Sequence, residues 1–467
     1  ARCFEAGLAF DLQQEDWKSA SASNQNLSEV WLLAGRSPLA LAAAQEALRL
    51  AEKADNAQGR QNSYAKQGAA QGLLGAVRAA LEDFRQCLHW QHQVESHTTD
   101  RPLWSRRGIH YTVLLTRLGR HGEAQRLTEA NKEISRNVVG SNSYVESYGA
   151  LILADLSIHS GNLGVSRGWY ETTQNWALAR DSKEALCWAS LVKSRIELAE
   201  AKTRSQEPGV SEELLQAAQD GLAEGLKIAR DCGFGIYHID LRLEQARLHL
   251  VQSNPQAALA DIRMALDDGI SANDQTGQPE LLAASDPECS YVWGIVEGLH
   301  CRAEALLLQA AQTIGNDSFV PARRTELPAS VQTLMTQAEA CLQEAMSRWL
   351  DLRDPEVSES NFIHPETGEE YNYRAEETYQ VLEDLKGGLL TRYPLVPLEQ
   401  TEDEDTETPT MPVFDPLAQQ PSPALTMWKE KLAFFLEAEA KASDPAQLFQ
   451  LRKDIEEARQ KIQELGG

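Results

Sequence analysis

Apolar residues recur along this chain at i, i+3, i+4 and i+7, the spacing that gives a helix one buried face. Alternating Val/Ile/Thr runs and Asn-Gly turns, the marks of strands and hairpins, are close to absent. A longer pattern is superposed on the helical one. A Gly or Ser ends one helix, Ala or Ser follows five residues on, an often bulky residue comes four later, and often a small one three beyond. Gly35, Ala40, Ala44 and Ala47 follow it, as do Gly75, Ala80, Phe84 and Cys87. Gly119, Ala124 and Thr128 start a third copy, Gly161, Ser166, Tyr170 and Thr173 make a fourth, and Ser253, Ala258, Ile262 and Ala265 a fifth. Ala338, Leu342 and Ala345 are a late echo. Twelve residues before the anchor of the second helix, the first helix carries its own small residue: Ser28 before Ala40, Gly68 before Ala80, Ala154 before Ser166, Ala246 before Ala258 and, less closely, Thr112 before Ala124. Small side chains at fixed positions let antiparallel helices approach to about 8–10 Å, and the large one fills the groove between them.

This spacing resembles the tetratricopeptide repeat, over roughly residues 1–350. The anchors at 40, 80, 124, 166 and 258 step by 40, 44 and 42 residues, then by 92 for two repeats, against a usual period of about 34. The proline that normally closes each repeat is mostly missing. Longer helices are therefore predicted, in an all-α, right-handed helical-repeat solenoid of about seven pairs over 1–352. Segments 270–288 and 313–328, rich in Gly, Pro, Asp and Ser, read as inserted loops. Long degenerate repeats of this kind look like the C-terminal sensor arrays of bacterial STAND signalling ATPases of the NACHT and NB-ARC types. The phrases Arg230-Asp231-Cys232-Gly233-Phe234-Gly235 and Asp286-Pro287-Glu288-Cys289-Ser290-Tyr291-Val292-Trp293-Gly294 are similar to ones recurrent in those arrays.

The periodicity breaks after Trp349. Residues 353–395 read as a terminal loop and capping helix, with a turn at 361–368 and a helix over about 372–390. Residues 396–424 follow as an extended linker, acidic at Glu402-Asp403-Glu404-Asp405 and punctuated by Pro409, Pro412, Pro416, Pro421 and Pro423. Residues 425–467 then read as a helical hairpin. Leu425, Trp428, Leu432 and Phe435 stripe its first helix, and Leu448, Leu451, Ile455 and Ile462 its second, with Ser443-Asp444-Pro445 as the start signal between them. So small a unit needs a partner for its stripe. It resembles the effector-associated adaptor domains of bacterial conflict systems, which implies a docking role for Trp428, Leu432, Phe435, Leu451, Ile455 and Ile462.

Charge narrows the function. Against 44 Lys and Arg stand 69 Asp and Glu, a formal charge of −25, so coating nucleic acid is not expected. No run approaches the ~18 apolar residues of a membrane span. Seven scattered cysteines suggest a reducing compartment, hence the cytoplasm. The start Ala1-Arg2-Cys3 already reads as helix and lacks an initiator methionine, so a fragment or processed product is expected, with any ATPase core upstream.

Signals for catalysis are scarce. There is no P-loop, no G-x-S-x-G, no H-E-x-x-H and no C-x-x-C. Cys87, His89, His92 and His97 come nearest to a metal set, but Cys87 occupies the small interhelical position of its repeat. Cys232 with His238, and Cys289 with His300 and Cys301, read as core positions. Tryptophans such as Trp31, Trp188 and Trp349 also read as core. No catalytic residue, metal or cofactor is expected.

A binding surface is the better expectation. In tetratricopeptide arrays the first helix of each pair lines a concave groove. Mapped from the small-residue anchors, that resemblance implies a partner-binding face of Arg106, Arg117, Tyr148, Asp155, His159, Lys193, Arg195, Asp240 and Arg247. Arginines there suit a peptide carboxylate or an acidic protein partner; the alternative is simple helix solvation and surface ion pairs. The function implied is a non-catalytic sensor and protein-interaction module that recruits an effector, in bacterial signalling or anti-phage defence. A free-standing scaffold or co-chaperone without switching is the second reading, and a Cys/His-dependent enzyme or metalloprotein the third.

Overall fold

The computed structural model describes residues 1–95, 101–140, 143–204, 210–271, 279–315, 327–358, 361–393 and 395. The chain divides into two units, Ala1–Leu398 and Glu399–Gly467. The acidic linker beyond Leu395 and the hairpin with Trp428, Leu432, Phe435, Leu451, Ile455 and Ile462 lie outside the described residues.

Within the first unit the fold is all-α and repetitive. Among the described residues, helix α1 (Arg2–Gln13) precedes seven helix pairs. These are α2 (Trp17–Leu33) with α3 (Ser37–Lys53), α4 (Ala57–Leu73) with α5 (Val77–Val94), and α6 (Ser105–Arg117) with α7 (His121–Val139). Next come α8 (Tyr144–His159) with α9 (Leu163–Arg180), α10 (Lys183–Thr203) with α11 (Val210–Cys232), α12 (Gly235–Val251) with α13 (Pro255–Arg263), and α14 (Val292–Thr313) with α15 (Ala329–Asp351). In the first two pairs a helix of about 17 residues and a three-residue turn, twice over, account for the 40-residue step.

The turns share one device. After α2, α3, α4, α6, α8, α9, α11 and α12 the helix is followed by a residue of positive φ, and the next backbone N–H reaches back to close the last turn, as Arg36 N does to Trp31 O and Ala76 N to Gln71 O. Gly35, Gly75, Gly119 and Gly161 take this conformation freely, whereas Asp55, Asp181 and Ser253 adopt it at a steric cost. The small-residue spacing is a packing rule in fact: Ser28 Oγ donates to Ala40 O and Ser166 Oγ to Ala154 O, each at 2.8 Å and each across the predicted twelve residues. At Gly68 an added Cβ would lie 2.9 Å from the Phe84 ring that fills its place.

The late part departs from regularity. Helix α13 passes into a π-helical turn, Met264–Asp268, and Ile270 then pairs with Leu281 across the first inserted segment. Beyond α15 the expected turn is the tip of a short antiparallel hairpin, β1 (Asn361–Ile363) and β2 (Glu370–Asn372), and the capping helix α16 is shorter than predicted, Ala375–Lys386.

One superhelical turn takes five repeats, so the sixth pair returns to the first. An added Cβ on Gly235, at the start of α12, would lie 2.3 Å from Ala34 O at the end of α2. The seventh pair meets the second, where Trp293 Nε1 donates to Gly72 O at 2.7 Å. The segment after α15 meets the third. Buried Arg120 Nη2 donates to buried Asp354 Oδ1 at 2.8 Å, and Asn372 Nδ2 donates to Arg117 O at 3.0 Å. The largest hydrophobic cluster accordingly mixes Phe84 and Leu118 of the early repeats with Ile239, Trp293 and Trp349 of the late ones.

Candidate recognition site: an axial cavity

The first helix of every pair faces the superhelix axis. Because the turn is tight, their inner faces enclose a cavity of about 220 Å³ rather than an open groove. The expected concave trough is therefore corrected to an axial chamber, and the cause is the seam that Gly35 and Gly235 allow α2 and α12 to form.

Seven of the nine positions read from the repeat line this chamber: Arg106 and Arg117 on α6, Tyr148 and Asp155 on α8, Arg195 on α10, Asp240 and Arg247 on α12. Two do not. His159 is exposed at the end of α8, its ring 5.1 Å from that of His121 and its Nδ1 2.9 Å from Asp155 O. Lys193 lies two residues before Arg195, which places it on another side of α10. Its Cδ lies 3.4 Å from the Cβ position of Gly221 on α11.

The charged side chains are not free to solvate helices. They form two internal networks. In the first, Glu29 on α2 takes Lys66 from α4 and Arg106 from α6 (2.5 Å), with His110 Nε2 at 3.3 Å; Arg106 also reaches Glu184 of α10 at 2.6 Å. Burial pushes the Glu29 carboxyl up, but Lys66, Arg106 and His110 outweigh it and hold the group well below its ordinary range. In the second, Arg195 binds Asp155 at 2.8 Å and Glu244 at 3.3 Å, Arg247 binds Glu244 at 3.0 Å and also Glu297, and Arg374, just before α16, binds Glu297 too. Burial raises the Glu297 carboxyl, and Arg374 and Arg247 bring it down to about 2.

On α6, Arg106 and Arg117 stand eleven residues apart, about 16 Å along a helix; on α10, Glu184 and Arg195 are spaced alike. Between these polar ends the wall is apolar, with Ile109 and Val113 on α6 and Trp188 and Leu191 on α10. Tyr148, Trp188 and Tyr237 form a run of rings, with centroids 5.8 and 6.4 Å apart, and the Arg106 guanidinium lies 4.9 Å over Tyr148. Such a chamber, apolar in the middle with a few fixed polar groups, has the makeup of a ligand site. Trp188, read from the sequence as core, is a half-buried wall residue, whereas Trp349 is core.

Several wall residues escaped the sequence reading. Tyr291 and Trp293 lie in the quoted 286–294 phrase, Tyr291 just before α14 and Trp293 at its second position, where no small-residue anchor was read; Arg374 belongs to no repeat at all. The partners Glu29, Glu184 and Glu297 follow no anchor spacing, and only the superhelical turn brings them to the arginines.

Elsewhere Cys87, Cys289, Cys301, His238 and His300 are buried as expected, whereas Cys232, expected in the core, is exposed at the end of α11. Burial pushes the thiols of Cys87, Cys289 and Cys301 up to about 12, away from the thiolate a nucleophile needs. His92 meets Arg101 O at 3.2 Å, His89 packs edge-on to Trp90, and His97 lies outside the described residues. Among the described residues no three His, Cys, Asp or Glu side chains converge as a metal-binding group, and no helix is long and apolar enough to cross a membrane. No protein-family model matches the chain, and no curated protein matches it in sequence.

Proposed function

We propose that this chain is a non-catalytic recognition and sensor module whose axial wall takes up a ligand and whose C-terminal hairpin recruits an effector. The observation that carries the reading is the convergence of first helices from all seven repeats on one chamber lined by fixed charges and aromatic rings. A solenoid built only as a spacer has no need of such a wall. The tightness of the turn restricts what enters to a small molecule or a short segment of a protein partner, such as a chain end. The resemblance in repeat texture to STAND sensor arrays supports placing the module in cytoplasmic bacterial signalling or anti-phage defence, as the sensor arm of an ATPase. Ligand contact would bias the packing between superhelical turns, which is the two-state element such a sensor requires.

Selection from a displayed random-peptide library tests the wall. The full chain is expected to enrich peptides whose binding is lost in Trp188→Ala and kept when residues 425–467 are deleted. Enrichment indifferent to Trp188, or none together with no binding of a small molecule at this wall, would overturn the reading.

A further inference from the structure

Five arginines and five carboxylates line the chamber. Arg106, Arg195, Arg247 and Arg374 each pair with a carboxylate, and Glu29, Asp155, Glu184 and Glu297 each pair with a cation. Among the described residues the exceptions are Arg117 and Asp240, and they share one neighbour. Arg117 Nη2 donates to the Tyr291 hydroxyl at 2.8 Å, and that hydroxyl donates to Asp240 Oδ1 at 2.9 Å. Arg117 Nε and Nη1 and Asp240 Oδ2 make no other hydrogen bond among the described residues.

The two groups are held in place. The Arg117 guanidinium lies 5.4 Å over the Tyr291 ring and 5.8 Å from the Trp293 ring, and Trp293 is pinned by its bond to Gly72 O. Asp240 makes no ion pair among the described residues, its one side-chain bond being to Tyr291, and burial raises its carboxyl despite Arg117 and Arg195 nearby. One helical turn from Asp240 stands Tyr237, against which Trp188 packs.

We propose that the axial cavity binds a free α-amino acid with an aromatic or large aliphatic side chain. Its carboxylate sits on the spare donors of Arg117, its ammonium on Asp240 Oδ2, and its side chain against Trp188 and Tyr237. Only a ligand that carries both charged groups on one carbon satisfies both side chains. A peptide end brings one charge and leaves the other group uncompensated, and a phosphate or dicarboxylate would face Asp240. Size agrees, since about 220 Å³ is below the ~300–1,000 Å³ of sites for larger molecules. The inference rests on the reading of the axial wall as the recognition surface.

Isothermal titration of the full chain with L-tryptophan, L-phenylalanine and L-leucine tests it, beside N-acetyl-L-tryptophan and L-tryptophanamide, each of which removes one charge. At least one free amino acid is expected to bind, each blocked form about ten-fold or more weaker, and Arg117→Gln and Asp240→Asn weaker by a similar factor. Absence of binding by all three amino acids up to about 10 mM, or equal binding of the blocked forms, would overturn the proposal with wild-type protein alone, whatever the variants do to folding. If Trp188-dependent peptides are still selected in that event, the recognition wall stands and only the amino-acid assignment falls.

Discussion

Contacts inside a repeat and contacts between superhelical turns are made from different materials. Within a pair, small residues at a fixed spacing let helices close on each other, and the polar bonds are short-range, as from Ser28 to Ala40. Between turns, the bonds join residues more than two hundred positions apart: Arg120 to Asp354, Trp293 to Gly72, Gly235 against Ala34. The first kind makes a solenoid. The second kind makes a chamber, and so turns a generic array into a candidate receptor.

The sharpest way to break this contrast is at Gly235. Gly235→Val places a side chain where even a Cβ lies 2.3 Å from Ala34 O, and backbone cannot yield as a flexible side chain does. A cost above ~3 kcal/mol is expected from such overpacking, with a rise in radius of gyration by small-angle scattering but retained helical circular dichroism. Gly164→Val, where an added Cβ meets nothing within 4 Å, is the control; an equal effect there would remove the seam from the explanation.

Next comes the buried pair. Arg120→Ala leaves Asp354, fully buried, without its cation. Urea unfolding should show a loss of about 3–5 kcal/mol, and the double substitution with Asp354→Ala should cost less than the sum. Strict additivity would show that the two side chains act independently.

A pH dependence distinguishes the interior of a late repeat. Burial, then Arg242 and Arg230, lowers His238 to about 4. Its folded pKa lies below the unfolded value, so the unfolded chain takes up the proton first. The neutral ring contributes its stability above about 6.5, and that contribution is lost as pH falls from there through about 4. His238→Gln should flatten thermal stability over that window, an effect of about 3 kcal/mol at its largest. An unchanged slope would assign the acid sensitivity elsewhere, with Glu297 taking over only below its ordinary range.

The smallest effects compare one bond of each kind. Trp293→Phe removes the donor to Gly72 O across the seam, and Ser28→Ala removes the donor to Ala40 O inside a pair. Each should cost about 1 kcal/mol. Only the first should change proteolysis between repeats two and seven, and equal protection in both variants would mean that the seam does not open as a unit.

Much of the solenoid was legible beforehand because close packing leaves a mark in one dimension. A small residue five after a helix-ending Gly or Ser and another twelve before are local needs, repeated in several pairs; Arg106, Tyr148, Asp155 and Arg247, mapped from them through the tetratricopeptide resemblance, line the chamber. The misses also have local causes. Lys193 cannot share a face with Arg195 two residues away, and Trp188 has the spacing of a core residue whichever side covers it. The β1–β2 hairpin was missed because three-residue strands are too short to show alternation.

What the sequence by itself determined is the helical-repeat architecture, since it follows from periodicity and side-chain volume within about forty residues; which helix of each pair looks inward came from the resemblance to the tetratricopeptide repeat. What only the tertiary structure decided is that the inward faces close into a chamber, that four of its arginines are neutralised there, and that Arg117 and Asp240 meet at Tyr291. These depend on the accumulated rotation of five successive pairs, and a small angle added at each step appears in no single stretch of chain.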